Sequence, residues 1–283
     1  MDMTSLVSTA DAACGGNALQ APGCKRRIAS AFGRAASTYD NAARLQKQVA
    51  EQTRSCLPAL TAADAAILDL GCGTGLETRA LGRRYRQARL FGLDLSPDML
   101  SLAQSHQQAT DCHWICGDLE VAPLPSGYFD LVYSSLAVQW CADLADVLSS
   151  CYRLLSPGGW FVFSTLAAGT LHELSTAWRL VDGRNHTNCY PPLSLHRQKL
   201  MRSRFAVHRL YQQTHRLYYP SALHLIRELK ALGANTLVDD QPASGLTGKQ
   251  AMVSLEKAYR TFAGTQGVPA TWQVVYTALR KPP

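Results

Sequence analysis

No apolar stretch in the chain is long enough to span a bilayer, which excludes a helical membrane protein. There is no CxxC pair, and His172, His186 and His196 lack tight ligand spacing, so neither a zinc ribbon nor any other structural metal site is expected. The nine cysteines are an odd count, and Cys72 lies inside a glycine-rich loop where a bridge would obstruct whatever the loop holds. Reduced thiols follow, with Cys112 and Cys116 expected as buried apolar filler on one face of a strand. Neither an internal repeat nor a heptad array is found. Residues 1–22 have no basic n-region and no sustained apolar h-region; small and polar, they read as a disordered tail rather than a signal peptide, and the cytosol is the expected compartment.

Negative charge is also scarce: 21 Asp and Glu face 28 Lys and Arg, a formal net charge of +7. The basic residues concentrate at Lys25, Arg26 and Arg27 and again at Arg197, Lys199, Arg202, Arg204 and Arg209. Such clusters serve an anionic partner or form an ordinary solvated face. No RNA-binding aromatic motif or helix-turn-helix pattern accompanies them, so nucleic acid is not the expected partner; an acidic protein or a phosphate-bearing arm fits the same charge. Apolar residues are plentiful, at 47% of the 283 positions, enough for a sizeable core in one α/β unit.

The most informative stretch runs from Ile67 to Asp94. An apolar run enters Gly71-Cys72-Gly73-Thr74-Gly75, and a second one, Leu90 to Leu93, ends on Asp94. Glycines after a strand let the backbone turn tightly and approach a ligand, while the following helix aims its free N–H groups at it. An acidic strand end about twenty residues on can accept from both ribose hydroxyls. The pattern therefore points to a nucleotide-type cofactor.

The glycines run GxGxG rather than GxGxxG, and Asp69 precedes the first by two residues. This spacing resembles the class I S-adenosylmethionine (SAM) methyltransferases. Cys116-Gly117-Asp118-Leu119, the strand Phe129 to Ser134, and Leu154 to Gly159 before Trp160-Phe161-Val162-Phe163 match the rest of that family's run of motifs. The resemblance implies a Rossmann-like fold, a seven-stranded and mostly parallel sheet. It places SAM against Gln46, Asp69, Gly71, Cys72, Gly73, Thr74, Gly75, Asp94, Leu95, Met99, Asp118, Leu119 and Ser134. Asp69 would lie beside the methionine ammonium, and Asp118 would accept from the adenine amine.

Upstream, Ile28, Phe32, Ala35, Tyr39, Ala42 and Val49 recur at helical spacing, predicting an amphipathic helix broken near Ser37 that covers the sheet edge or the cofactor. Tyr39 is either a packing residue or a hydroxyl offered to a ligand. Downstream of the fifth strand, helices over 170–182, 193–204 and 221–232 form an inserted cap, with final strands over 205–218 and 271–279. The expected division is a tail over 1–24, then one domain over 25–283: a helical lid (25–60), a SAM-binding core (61–166), a substrate cap with one strand (167–235) and a C-terminal helix and strand (236–283).

Ala31 to Asp40, Ser134 to Cys141, Gly169 to Leu174 and Arg227 to Ala234 resemble a narrower family, the malonyl-acyl-carrier-protein O-methyltransferases of biotin synthesis. Ser135 departs from that family's pattern, which has Asn there. The resemblance implies methyl transfer to the free carboxylate of a malonyl thioester on carrier protein or coenzyme A; the sequence leaves the oligomeric state open, with a monomer expected. It implies Tyr39 and Arg227 as catalytic residues, and Gln139, Trp140, His172, Trp178, Arg227 and Lys230 as substrate contacts. The alternatives are a SAM-dependent methyltransferase for another small acid, a quinone precursor or RNA, and a non-catalytic SAM-fold interaction module.

Overall fold

The computed structural model describes residues 23–60, 62, 64–106, 112–234 and 248–283. The tail reading of residues 1–22 lies outside them.

Short, mostly apolar segments make buried parallel strands where both faces of the sheet are covered. β1 (Ala66–Leu70) is buried at all five positions. β2 (Arg89–Asp94), β3 (Cys112–Cys116), β4 (Phe129–Ser135) and β5 (Leu155–Leu166) lie parallel to it, and β7 (Val268–Arg280) runs antiparallel between β5 and β6 (Ala206–Tyr219). The strand order is β3-β2-β1-β4-β5-β7-β6. Strand order reverses between β1 and β4, which opens a crevice at the carboxyl ends of the strands.

Helices cover both faces: α3 (Leu76–Arg84), α4 (Pro97–Ser105) and α5 (Leu144–Leu154) in the first half, and α6 (His172–Asp182), α7 (Leu193–Arg202), α8 (Ala222–Ala231) and α9 (Lys249–Tyr259) after β5. Buried Glu173 fixes the cap to the sheet, its carboxylate accepting from the Thr271 hydroxyl at 2.5 Å and the Thr271 N–H at 3.2 Å. No helix among the described residues is long and apolar enough to cross a membrane.

Two helices precede β1: α1 (Cys24–Ala42) and α2 (Arg44–Arg54). The break falls at Ala43, not near Ser37. The helix runs on through Thr38, whose one hydroxyl proton is shared between Ala35 O one turn back (3.0 Å) and Ala231 O of α8 (2.8 Å). At the true break, Lys47 Nζ donates to the freed carbonyl of Asp40 (2.6 Å). Gly33 lets α1 approach α4, since a Cβ there would run into the Asp98 carboxylate.

A second correction concerns the thiols. Cys112 is buried, but Cys116 ends the edge strand β3 and is exposed, so only the first is core filler. Cys24, Cys56, Cys72, Cys116, Cys141, Cys151 and Cys189 are free thiols.

Candidate functional site

Four turns converge at the carboxyl edge of the sheet. Gly71 N–H and Cys72 N–H both donate to Leu93 O (2.7 and 3.1 Å), tying the glycine loop to the end of β2. Gly71 has φ 72°, and a Cβ there would strike the Ala137 methyl of the turn after β4. Glycine is needed for conformation and for closeness alike. On β4 the side chain before the turn, Ser134, is wholly buried and donates to Leu70 O at 2.8 Å, pinning β4 to β1.

The crevice holds two joined compartments of about 670 and 510 Å³, counted out to their mouths. They share Tyr39, Gly71, Gly73 and Ser135. The larger is roofed by one face of α1, Lys25, Ile28, Phe32 and Tyr39, and floored by Asp94, Leu95, Met99, Asp118, Leu119, Leu136 and Trp140. Phe32 meets the Trp140 ring edge-on, with centroids 5.4 Å apart. The smaller contains Gln46, Asp69, Cys72, Thr74 and Glu77.

Among the charged groups of the two linings, the carboxylates Asp40, Asp69, Glu77, Asp94 and Asp118 outnumber Lys25 and Lys47. Asp94 accepts from Gly73 N–H (2.9 Å) and Ser96 N–H (2.8 Å), one on each oxygen. Burial raises its pKa, and the N–H groups of Ser96, Gly73 and Leu95 oppose the rise. Asp69 is 2% exposed and accepts from the Thr78 hydroxyl at 2.6 Å. Burial pushes its pKa to about 7 against that hydrogen bond, with Glu77 and Asp94 adding to the rise. Glu77 is held by Arg54 (2.5 Å) and by the Tyr133 hydroxyl (3.0 Å). Asp118 is paired with Lys25 at 3.0 Å, and Lys25 also bonds Glu120. Among the described residues Asp69 has no ion-pair partner and the buried Gln46 Oε1 has no hydrogen-bond partner, and together they ask for a ligand that brings positive charge and a donor. An α-ammonium supplies both, so this pair of acceptors fits SAM.

Tyr39 stands where the two compartments meet. Its hydroxyl has no hydrogen-bond partner among the described residues, and burial, with Asp94 and Asp40 nearby, raises its pKa, keeping it a donor. Asp40 accepts from the Thr74 hydroxyl at 2.7 Å, fastening the end of α1 to the glycine loop.

Other expected site residues lie elsewhere. Gly75 faces Trp114 and Ala103, packing the loop on its neighbours. Gln139 lies outside both linings and donates to Leu136 O at 2.6 Å. His172 is half exposed, with Nδ1 3.2 Å from Gly169 O. Trp178 is 5% exposed in the core, stacked on His186 at 4.1 Å. Arg227 and Lys230 are exposed on α8 and line neither compartment. Their helix reaches the roof at its far end, where Thr38 bonds Ala231 and Gly233 presses on the Ala31–Phe32 backbone.

The sequence reading missed Ser135, which lines both compartments, and placed the role on Ser134; alternation of faces along β4 separates the two. It also missed Leu136, at φ 51° a bulky side chain in the left-handed region, held by Ser164 through Leu136 N–H. No sequence signal announces that conformation.

A family model described as a methyltransferase domain matches residues 68–163. A malonyl-acyl-carrier-protein O-methyltransferase from Serratia marcescens is 40% identical over 89% of this chain and 94% of its own length. One from Yersinia pestis is 39% identical over 89% and 90%. The biotin biosynthesis bifunctional protein BioHC of Cellvibrio japonicus is 39% identical over 91% of this chain, which spans 50% of that longer protein. Among solved structures, a SAM-dependent methyltransferase from Mesorhizobium loti matches with a TM-score of 0.50 at 22% identity, over 83% of this chain and 99% of its own. Geranyl diphosphate C-methyltransferase from Streptomyces coelicolor, solved with S-adenosyl-L-homocysteine, matches with 0.51 at 16%, over 84% and 77%.

Proposed function

Because this chain belongs to the malonyl-acyl-carrier-protein O-methyltransferase family, we propose that it methylates the free carboxylate of a malonyl thioester, giving the methyl ester that enters biotin synthesis. It is a SAM-dependent methyltransferase. When bound, SAM supplies the sulfonium methyl group that the acceptor carboxylate takes up.

The residues have little chemistry to perform. A carboxylate with an ordinary pKa near 4 is ionised at neutral pH, so no general base is needed. Orientation and exclusion of water remain, and well-placed reactants can gain roughly 7–11 kcal/mol from them. Asp94 holds the ribose through oxygens that two backbone N–H groups already fix in place. Asp69 pairs with the ammonium and Gln46 accepts from it. Phe32, Ile28 and Trp140 keep water from the larger compartment. Tyr39 donates its free hydroxyl toward the acceptor at the junction. Arg227, exposed on α8 and outside both linings, is the candidate partner for the acceptor carboxylate, since a guanidinium can offer two parallel N–H bonds. Lys230, one turn further along, adds charge.

The observation that carries the reading is that Asp69, a buried carboxylate without an ion-pair partner among the described residues, shares the crevice with the Tyr39 hydroxyl at the compartment junction. A malonyl carrier protein incubated with SAM and this enzyme should gain one methyl group by mass spectrometry, and the methyl should leave with the malonyl group when the thioester is cleaved. An unmodified carrier, with SAM consumed on another small acid, would reassign the acceptor.

A further inference from the structure

Folding merges two basic clusters that the sequence keeps far apart. A groove of about 1740 Å³, counted out to its mouth, runs along the exposed face of α5 formed by Asp146, Ser149 and Arg153. Lys25 and Arg26 of α1 stand at one end and Arg204 on its flank. Past Ser149 and Arg204 it continues into a second hollow that carries Lys199 and Arg202. Two of these cations are already neutralised, Lys25 by Asp118 and Glu120, and Lys199 by Asp143 at 2.7 Å. The arginines are not. Arg26, Arg153, Arg202 and Arg204 are exposed and meet no carboxylate among the described residues. Arg204 lies over the Tyr152 ring at 4.0 Å, and Arg153 donates to the carbonyls of Ala122 and Leu124. Within this basic rim Val121 is 74% exposed. Uncompensated arginines around an exposed apolar side chain suit an acidic amphipathic helix, whose charges would meet the rim while one apolar residue covers Val121.

The groove also has a fixed relation to the chemistry. Lys25 and Asp118 line both it and the larger cofactor compartment. A partner seated there lies at the mouth of the cleft.

We propose that this groove docks the carrier protein bearing the malonyl thioester, through an acidic helix laid along α5. The proposal rests on the carrier-borne acceptor put forward above. Arg26→Glu combined with Arg204→Glu tests it, because neither residue lines the cofactor cleft. Initial rates are measured with malonyl carrier protein and with malonyl-coenzyme A, together with SAM affinity and a melting curve. The KM for the carrier should rise about tenfold or more with kcat nearly unchanged, while kinetics on malonyl-coenzyme A stay within about twofold. Should loss of the stack on Tyr152 lower the melting temperature, Arg26→Glu with Arg202→Glu repeats the measurement without touching it. An unchanged KM for the carrier overturns the docking surface and leaves the reaction intact. An equal loss on both thioesters makes the groove a site for the phosphates they share, and overturns it as a protein surface. A wild-type enzyme that methylates neither thioester instead refutes the acceptor, and the proposal falls with it.

Discussion

Asp69 should make cofactor binding depend on pH in a way that few buried carboxylates do. In the free protein its pKa is pushed to about 7, chiefly by burial, against hydrogen bonds from the Thr78 hydroxyl and backbone N–H, and it has no ion-pair partner among the described residues. A bound ammonium would stabilise the ionised form and return the pKa toward the ordinary carboxylate range. The sign then follows from linkage: affinity is full above the free-state pKa and falls as pH drops through it, about tenfold per pH unit, until the bound-state pKa is reached. Between pH 8 and pH 5 the loss should be on the order of 100-fold. Folding stability of the free protein moves oppositely. A carboxyl whose folded pKa lies above its unfolded value contributes stability below the unfolded value, and that contribution is lost as pH rises through about 7. The full span, from 3.8 to about 7, is on the order of 4 kcal/mol. The assay is calorimetry with S-adenosylhomocysteine, which carries the same ammonium, from pH 5 to pH 8 in buffers of different ionisation enthalpy. Near pH 6.5 binding should release protons, and Asp69→Asn should abolish both the release and the acid limb. Affinity that stays level across the range, or an Asp69→Asn variant that retains the wild-type profile, would refute the placement of the ammonium beside Asp69.

Asp94→Ala removes an acceptor already oriented by Gly73 and Ser96; SAM affinity should drop by about 1.5–3 kcal/mol per charged hydrogen bond lost, and calorimetry showing no change would move the ribose elsewhere. Tyr39→Phe should lower kcat on the malonyl thioester with SAM affinity largely kept, and because burial holds the wild-type hydroxyl protonated, no alkaline limb below about pH 10 should belong to it; full activity in the variant would leave Tyr39 a packing residue. Arg227→Ala should cut kcat/KM while SAM affinity survives, and Arg227→Lys should rescue poorly, since an ammonium restores charge without the bidentate plane; wild-type rates in Arg227→Ala would sink the clamp. Ser134→Ala should cost about 1–3 kcal/mol of stability, because Leu70 O loses its donor in the core, whereas Ser135→Ala should leave the melting temperature nearly unchanged and alter the SAM or acceptor kinetics; the reverse pattern would contradict the facing of β4.

The strands and the glycine turn were legible in the sequence because their causes are local. Ile67 to Leu70 is buried on both faces wherever the sheet sits, Gly71 must take φ 72°, and Asp94 ends a strand that a turn follows, so the cofactor edge and its acidic residues follow from neighbouring residues alone. The narrower resemblance carried the acceptor from phrases such as Ser134 to Cys141, which neither composition nor periodicity could supply. What escaped depends on groups distant in the chain. Ala43 rather than Ser37 breaks the lid because Thr38 finds its acceptor on α8 and Asp40 its donor on the glycine loop. Trp178 reads as an aromatic substrate contact but packs on His186 in the core, and Ser134 reads as a cleft residue but faces Leu70. Asp69 was legible as an acid two residues before the glycine turn. Its pKa near 7 exists only because burial, Glu77 and Asp94 act on it together in the folded chain. Likewise the sequence shows two basic runs, and only tertiary packing brings Arg26 and Arg204 to one groove at the mouth of the cofactor cleft. Backbone conformation and burial pattern are written residue by residue; a side chain's partner, and with it its charge state and its chemistry, is set by contacts that exist only after the chain has folded.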